Sequence, residues 1–417
     1  MRVLRLTSAR QEKVLRSRRD SSREAERAAS KIIDDVRRRG DAALFSWTRR
    51  FDRVDLNARS VWVSRAELAQ ARRTVSREFL AAIDHAARNI RAVARRQKPQ
   101  EWTFEVEPGV RVGQRVRAIE SIGCYLPGGR FSLFSTLLMT VIPAQEAGVR
   151  RIVVASPRPG PALLAAAERM GIESVARVGG AQAVAALAYG TRSIPRVDKI
   201  CGPGNRFVTA AKRLVSADCA IDLLAGPTEA IVFAASGNPK FIAADLIAQA
   251  EHDPDAISIF VTTSARLARG VAAEINLQLA ALPAANLARR SLAKNGAVLL
   301  ARNTADAIQF INFFAPEHLT LPAGAASLLG KIDSAGSIFL GDWSAQTFGD
   351  YASGTNHVLP TGGVARTRGG LSVADFVKCI GVQEVSRAGF RRLAPVALEF
   401  ARAEGLDAHG RSIEVRQ

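Results

Sequence analysis

Cysteine is scarce in this chain, with four in 417 residues. Cys124, Cys201, Cys219 and Cys379 lie far apart, and none forms a C-x-x-C pair. That excludes a zinc knuckle and a thioredoxin-type redox motif. Buried, reduced thiols are expected, so any bound metal must sit on nitrogen and oxygen. Aromatic residues make up only 6%, poor material for stacking on nucleobases. A net charge of +19 points toward polyanions. The arginines are dispersed, however, and no Lys/Arg block is interleaved with aromatics, so no nucleic-acid partner is expected. No apolar run approaches the roughly 18 to 20 residues of a membrane helix, and no membrane partner is expected. Met1-Arg-Val-Leu-Arg-Leu6 lacks the apolar core and cleavage site of a secretory signal, which makes a cytoplasmic location the expectation. Also missing are G-x-G-x-x-G, G-x-x-x-x-G-K-[ST] and H-E-x-x-H. A fingerprint dinucleotide fold, a P-loop ATPase and a zincin protease are thereby disfavoured.

What is present is an ordinary globular balance, 47% hydrophobic and 23% charged. The length allows about two to three domains at roughly 150 residues each. The first 120 or so residues read as mostly helical, after a short basic arm. Ser21-Ser-Arg-Glu24 and Ser64-Arg-Ala-Glu67 have the form of capping boxes, each ahead of a helically spaced apolar series. From Ser121 the rhythm changes. Strand-like runs at Ile122–Leu126, Arg151–Ala155, Ser174–Val178, Val197–Cys201 and Ala220–Leu224 alternate with helical segments. A second series follows, with strands at Glu229–Ala234, Ile257–Thr263, Ala297–Leu300 and Ser337–Leu340, and helices at Pro239–His252 and Ala265–Leu282. Repeated βαβ units of this kind predict parallel sheets with helices on both faces. Two α/β units fit better than one continuous sheet. The tail from Leu371 reads as helical, ending in a strand-like Ser412–Val415.

Glycine-rich turns fall where strands should hand over: Pro127-Gly-Gly129, Gly179-Gly-Ala-Gln182, Gly202-Pro-Gly-Asn205 and Ala225-Gly-Pro-Thr228. Any one of them reads equally well as a tight turn. Together they suggest a crevice for phosphate or a dinucleotide, because ligands of open α/β sheets collect at such loops.

Only five histidines occur, and four stand near carboxylates or amides. Gln249 and His252 are three apart at a helix end and share a face. Glutamine is an unusual zinc ligand, so spacing alone favours Glu251 over Gln249 as the partner of His252. Glu317-His318 follows Pro316 at an apparent helix–loop junction, where an acid and an imidazole could handle separate protons. Asp350 and His357 bracket a polar loop, and Glu404 and His409 sit near the C-terminus. Each cluster alone could be a solvated turn or helix end. His85, beside Asp84 on an amphipathic helix, reads as a solvated face. Four clusters of this composition suggest one assembled metal and acid–base site.

Taken in order, Gly123-Cys-Tyr-Leu-Pro-Gly-Gly129, Gly179-Gly-Ala-Gln182, Gly202-Pro-Gly-Asn205, Ala225-Gly-Pro-Thr-Glu229, Gln249-Ala-Glu-His-Asp-Pro254, Pro316-Glu-His-Leu319 and Ser353-Gly-Thr-Asn-His-Val-Leu-Pro360 resemble the histidinol dehydrogenase family. The likeness runs from about residue 20 to the C-terminus. It implies a zinc-dependent, NAD-linked enzyme that takes L-histidinol through L-histidinaldehyde to L-histidine, with one zinc per chain and two NAD consumed. By resemblance the zinc ligands are Gln249, His252, Asp350 and His409, and the catalytic pair is Glu317 and His318. Tyr125, Gln182 and Asn205 match NAD-contacting positions. Thr228, His357 and Glu404 match substrate-side positions, with Gln249, His252, His318, Asp350 and His409 also meeting substrate. The family has serine where this chain has Thr228, and threonine keeps the hydroxyl.

The resemblance further implies an intertwined homodimer of two Rossmann-like, doubly wound α/β domains, one inserted in the other, with a helical N-terminal arm and a C-terminal tail. Residues 1–22 would form the arm, and 23–124 with 229–370 the larger domain. Residues 125–228 would form the inserted NAD-binding domain, and 371–417 a dimerisation tail reaching the partner's active site. In such a site the metal orients the substrate, His318 takes the alcohol proton and Glu317 activates the water that hydrates the aldehyde. Competing readings are a sister enzyme acting on another small alcohol, a metal hydrolase without NAD, and a basic nucleic-acid module. The NAD-like loops argue against the hydrolase.

Overall fold

The computed structural model describes residues 1, 3–7, 11–12, 23–128 and 133–417. Ser21 and Ser22 of the first expected capping box, and Gly129, lie outside the described residues. The second box forms as expected: Ser64 accepts the Glu67 N–H, and the Glu67 side chain accepts from Ser64 in return. It opens helix Arg65–Thr74.

Two parallel sheets organise the chain. In the first, strands run in the order Val175–Ala176, Arg151–Ala155, Ser121–Tyr125, Lys199–Cys201 and Ala220–Ile221. In the second the order is Val3–Arg5, Ala297–Leu300, Ile257–Thr262, Glu229–Phe233, His318–Leu321 and Ser337–Leu340. All neighbours in both are parallel. The strands over 229–233 and 257–262 are buried throughout, as expected of sheets covered on both faces. Alternation sorts their side chains. Val232, Phe260 and Val298 pack toward helices Pro239–Ala250, Ala265–Ala281 and Ala288–Asn295. Ile231, Phe233, Ile259 and Leu319 pack toward Phe310 and Phe314 of helix Thr304–Phe314. Among the described residues no helix is long and apolar enough to cross a membrane.

Several expectations need correction. The basic arm carries strand Val3–Arg5, which pairs with Val298–Leu300 at the edge of the second sheet. The stretch before residue 120 also contains strands Trp102–Glu107 and Val110–Ala118. They are joined antiparallel by Val377–Val385 from the tail, making a third sheet. The tail then continues as helices Arg387–Glu404 and Asp407–Glu414, so Ser412–Val415 is not a strand. Cys379 is exposed on the tail strand, while Cys124, Cys201 and Cys219 are buried.

Residues of the N-terminal helices share cores with the five-stranded sheet. Ala25, Ala29, Ile32, Ile33 and Val36 of helix Arg23–Arg39 share a core with Val153, Leu187, Val208 and Ala211. Ile83 and Ile90 of helix Arg77–Gln97 share another with Leu137, Val141 and Leu163. The long N-terminal helices therefore cover the five-stranded sheet. Their apolar faces match its helices, and sequence order gave no hint of it.

Candidate active site

The site lies in a cleft of about 820 Å³ between the two sheets. On one side stand loops at the carboxyl edge of the five-stranded sheet. Gly202-Pro-Gly-Asn205 follows Lys199–Cys201, next to the strand that ends at Tyr125. This is where the strand order of that sheet reverses, the usual ligand crevice of an open α/β sheet. The opposite wall is unusual in being the amino edge of the six-stranded sheet. Glu229 opens one central strand and His318 opens its neighbour. His318 had been expected at a helix–loop junction. The apolar His-Leu-Thr-Leu that follows is instead a buried four-residue strand, too short to declare itself.

Glu317 and His318 are both buried, at 7% and 3% exposure. The Glu229 N–H donates to Oε2 of Glu317 at 2.9 Å. His318 Nδ1 stands 3.7 Å from that same oxygen, and its Nε2 stands 3.8 Å from Oδ1 of Asp350. Neither ring nitrogen has a hydrogen-bond partner among the described residues, and the ring stacks against Phe339 at 6.0 Å and 17°. Burial pushes the Glu317 carboxyl up to about 7. For His318, burial works against the imidazolium, but the charges of Glu317 and Asp350 outweigh it and leave its pKa raised. A carboxyl that titrates near neutrality and an unclaimed imidazole are what proton transfer needs.

Asp350 lies in the short helix Gln346–Tyr351 rather than in the polar loop expected. Its Oδ2 accepts from Nε2 of Gln249 at 3.2 Å, which leaves Gln249 Oε1 buried without a partner among the described residues. His252 lines the same cleft, and burial lowers its pKa, favouring the neutral ring that ligates metals. His357 is spoken for. Its Nδ1 lies 2.8 Å from the Asp350 carbonyl, which can only accept, so Nδ1 carries the proton. Its Nε2 then accepts from the Thr136 hydroxyl at 3.1 Å. Held in this way, His357 fixes the backbone of Asp350.

Gln249, His252 and Asp350 thus come together, offering an orphaned amide oxygen, a neutral imidazole and a carboxylate. This nitrogen–oxygen set fits a zinc-type ion. Among the described residues no group of three or more His, Cys, Asp and Glu could hold a metal. That follows, since one of the three donors is an amide. Glu404 and His409 are not brought in: both are exposed on the tail helices. Asn205 and Thr228 line the cleft, whereas Tyr125 and Gln182 do not. Gln182 is 1% exposed with neither amide atom partnered among the described residues, and the Gly180 N–H donates to the Tyr125 hydroxyl at 3.1 Å. Sequence reasoning missed Thr136, Glu229 and Thr361, whose Oγ1 accepts the Gly226 N–H at 2.6 Å. For Glu229 a signal existed, a charged residue opening an otherwise apolar strand.

This architecture, with its acid–base cleft between two parallel sheets, is that of an α/β protein with an enzyme-like site. The histidinol dehydrogenase family model matches residues 15–417. The chain is 45% identical over 404 residues to a histidinol dehydrogenase of Geobacter sulfurreducens, covering 95% of this chain and 94% of that one. It is 46% identical over 395 residues to that of Vibrio parahaemolyticus, covering 93% and 91%. A crystal structure of histidinol dehydrogenase from Elizabethkingia anophelis superposes with a TM-score of 0.95 at 37% identity, covering 100% of this chain and 98% of that one. The chain belongs to the histidinol dehydrogenase family.

Proposed function

We propose that the protein oxidises L-histidinol through L-histidinaldehyde to L-histidine, the last two oxidations of histidine biosynthesis, in the cytoplasm. The reading uses one zinc ion per chain and two NAD per turnover. The observation that carries it is His318, buried between the carboxylates of Glu317 and Asp350 with neither ring nitrogen partnered among the described residues.

Gln249, His252 and Asp350, with His409 of the partner subunit, would hold the zinc, which supplies an anchor for the substrate's nitrogens. NAD, near Tyr125, Gln182 and Asn205 in the unit spanning 125–228, would accept hydride. His318 takes the hydroxyl proton as the alcohol becomes a carbonyl. Glu317 takes a proton from the water that converts aldehyde to hydrate, a step its pKa near neutrality suits. Thr228, His357 and Glu404 contribute to holding the substrate, His357 chiefly through Asp350. Keeping the aldehyde bound between the two steps would protect it from side reactions.

An intertwined homodimer completes the reading, with residues 371–417 as the exchanged tail. In its favour, the third sheet and the tail expose apolar patches in a single chain, with Trp102 and Phe104 on one face of the sheet, Ile380 and Val382 on the other, and Val396 and Phe400 on the tail helix. Such patches call for a partner, and Glu404 and His409 lie on the same tail.

The test is NADH formation from L-histidinol by the metal-loaded protein, with and without a chelator. Two NADH per histidinol, abolished by the chelator, supports the reading. No NADH from histidinol, with NADH from another small alcohol, would favour a sister activity.

A further inference from the structure

Lys212 is among the largest fully buried side chains of the protein, at 2% exposure. It lies in helix Arg206–Val215, and its ammonium pairs with Oδ1 of Asp222, which is itself buried. Removing two charges from water is unfavourable, and a buried ion pair is weak evidence for added stability. What distinguishes this pair is what else it holds. Lys212 Nζ donates to the Gly202 carbonyl at 3.0 Å, and Asp222 Oδ2 accepts the Gly202 N–H at 2.7 Å. Both backbone polar groups of one glycine are thus claimed by one ion pair. Asp222 is fixed in turn, since Oδ1 accepts the Leu223 N–H at 2.6 Å and its carbonyl accepts from Arg368.

Gly202 has φ +109°, and a Cβ there would collide with the Tyr125 carbonyl oxygen. It begins the loop whose Pro203, Gly204 and Asn205 line the cleft. Asn205 then caps the helix that carries Lys212, accepting the Phe207 and Val208 N–H groups at 3.0 and 3.2 Å. The loop is therefore tied at its start by Lys212 and Asp222 and at its end by Asn205, from the same helix.

The geometry points to the buried Lys212–Asp222 pair as a positioning device for the dinucleotide, holding the Gly202–Asn205 loop in its binding shape without touching the cofactor. The inference rests on the proposed reading that this loop takes NAD.

The test compares the full-length enzyme with Lys212→Met, Asp222→Ala and the double variant K212M/D222L. Melting temperature, the KM for NAD, the KM for L-histidinol and kcat are measured for each. The single variants should raise the KM for NAD at least about tenfold, with the histidinol KM unchanged and kcat at saturating NAD within about twofold. The double variant, relieved of an unpaired buried charge, should regain melting temperature but keep the raised KM, because Gly202 still lacks its anchors. A wild-type KM for NAD in any folded variant overturns the inference. So does recovery of that KM together with stability in the double variant. Failure of all three to fold also overturns it, making the pair an element of folding alone. Asn205→Ala separates this from the underlying reading. If it raises the KM for NAD while the Lys212 and Asp222 variants do not, only the positioning role falls. If it too leaves that KM unchanged, the loop is not the cofactor site.

Discussion

His318 Nε2 and Asp350 Oδ1 stand 3.8 Å apart, one on a strand that opens at the amino edge of the six-stranded sheet and the other on a one-turn helix. The gap is too long for a hydrogen bond. Asp350 is instead engaged through its other oxygen by Gln249 and through its carbonyl by His357. The carboxylate is thereby oriented toward the cleft without being neutralised, while the imidazole is left free to take a proton. Thr136, which bonds the far side of His357, becomes part of the support. Thr136→Val should leave His357 without its Nε2 partner and lower kcat by about tenfold or more, of the order seen when supporting hydrogen bonds of metal sites are removed. Steady-state kinetics on a variant with unchanged melting temperature would check it.

Metal content gives a second prediction. One divalent ion per chain, held without sulfur, requires that His252→Ala lose both metal and activity while keeping the fold. Replacing all four cysteines by serine or alanine should keep the metal, since Cys124 and Cys201 face each other inside the sheet, Sγ to Sγ 3.7 Å, away from Gln249 and Asp350. Elemental analysis of the purified variants decides it, and loss of metal from the cysteine-free variant would sink the nitrogen–oxygen assignment.

Composite sites make a sharper claim. His409→Ala and His252→Ala subunits, each inactive alone, should regain partial activity when mixed. A hybrid dimer collects both lesions in one site and none in the other. A verified mixed dimer without activity would mean that each chain builds its own site.

Much of the fold is legible in the sequence. The βαβ rhythm from Ser121 onward announces itself because buried parallel strands are continuous apolar runs, as in Glu229–Phe233 and Ile257–Thr262. Strand Trp102–Glu107 carries a period-two alternation of apolar and polar residues, and Val110–Ala118 part of one, so both are legible as strands; what the sequence does not disclose is their pairing with Val377–Val385 from the tail. Sequence spacing put Gln249 and His252 at one helix end, but the helix stops at Ala250 and His252 lies in the turn beyond it. Spacing could not bring Asp350 to Gln249, since that depends on how a short helix packs against a long one. Nothing local in the sequence reveals that Lys212 and Asp222 are both buried. Glu404 and His409 remain apart from the cleft in a single chain.

Away from the site, Asp35 offers a test of linkage. Its carboxylate accepts from Arg39 Nε at 2.7 Å, Trp47 Nε1 at 2.9 Å and Arg38 Nη2 at 3.2 Å. The Arg39 bond holds its pKa well below the usual carboxylate range, with Trp47 and Arg38 assisting against burial. A depressed folded-state pKa contributes stability above the unfolded value of about 3.9, and that contribution is lost as pH falls through the folded value. Asp35→Asn should therefore lower the melting temperature at pH 7, and the difference from wild type should shrink as pH drops below about 4. A difference independent of pH would show that shape, not charge, matters at this position.

The two oxidations ask different chemistry of neighbouring residues, so mutation should separate them. Glu317→Gln keeps the side chain's shape and can still meet the Glu229 N–H through its amide oxygen, but it cannot take a proton from water. Hydration of the aldehyde should suffer most. His318→Ala removes the group that accepts the hydroxyl proton in the first hydride transfer. General-base losses are typically about 100- to 10,000-fold, large enough to resolve in each half-reaction. Measured separately with L-histidinol and L-histidinaldehyde, Glu317→Gln should produce the first NADH and stall before the second, while His318→Ala should be slow from the start. The Glu317 pKa near 7 adds a pH signature, because only its ionised form can act as the base. The aldehyde step of the wild-type enzyme should therefore rise with pH through about 7, and Glu317→Gln should flatten that rise. Equal losses in both half-reactions for Glu317→Gln, with the pH dependence intact, would show that a single base serves both steps.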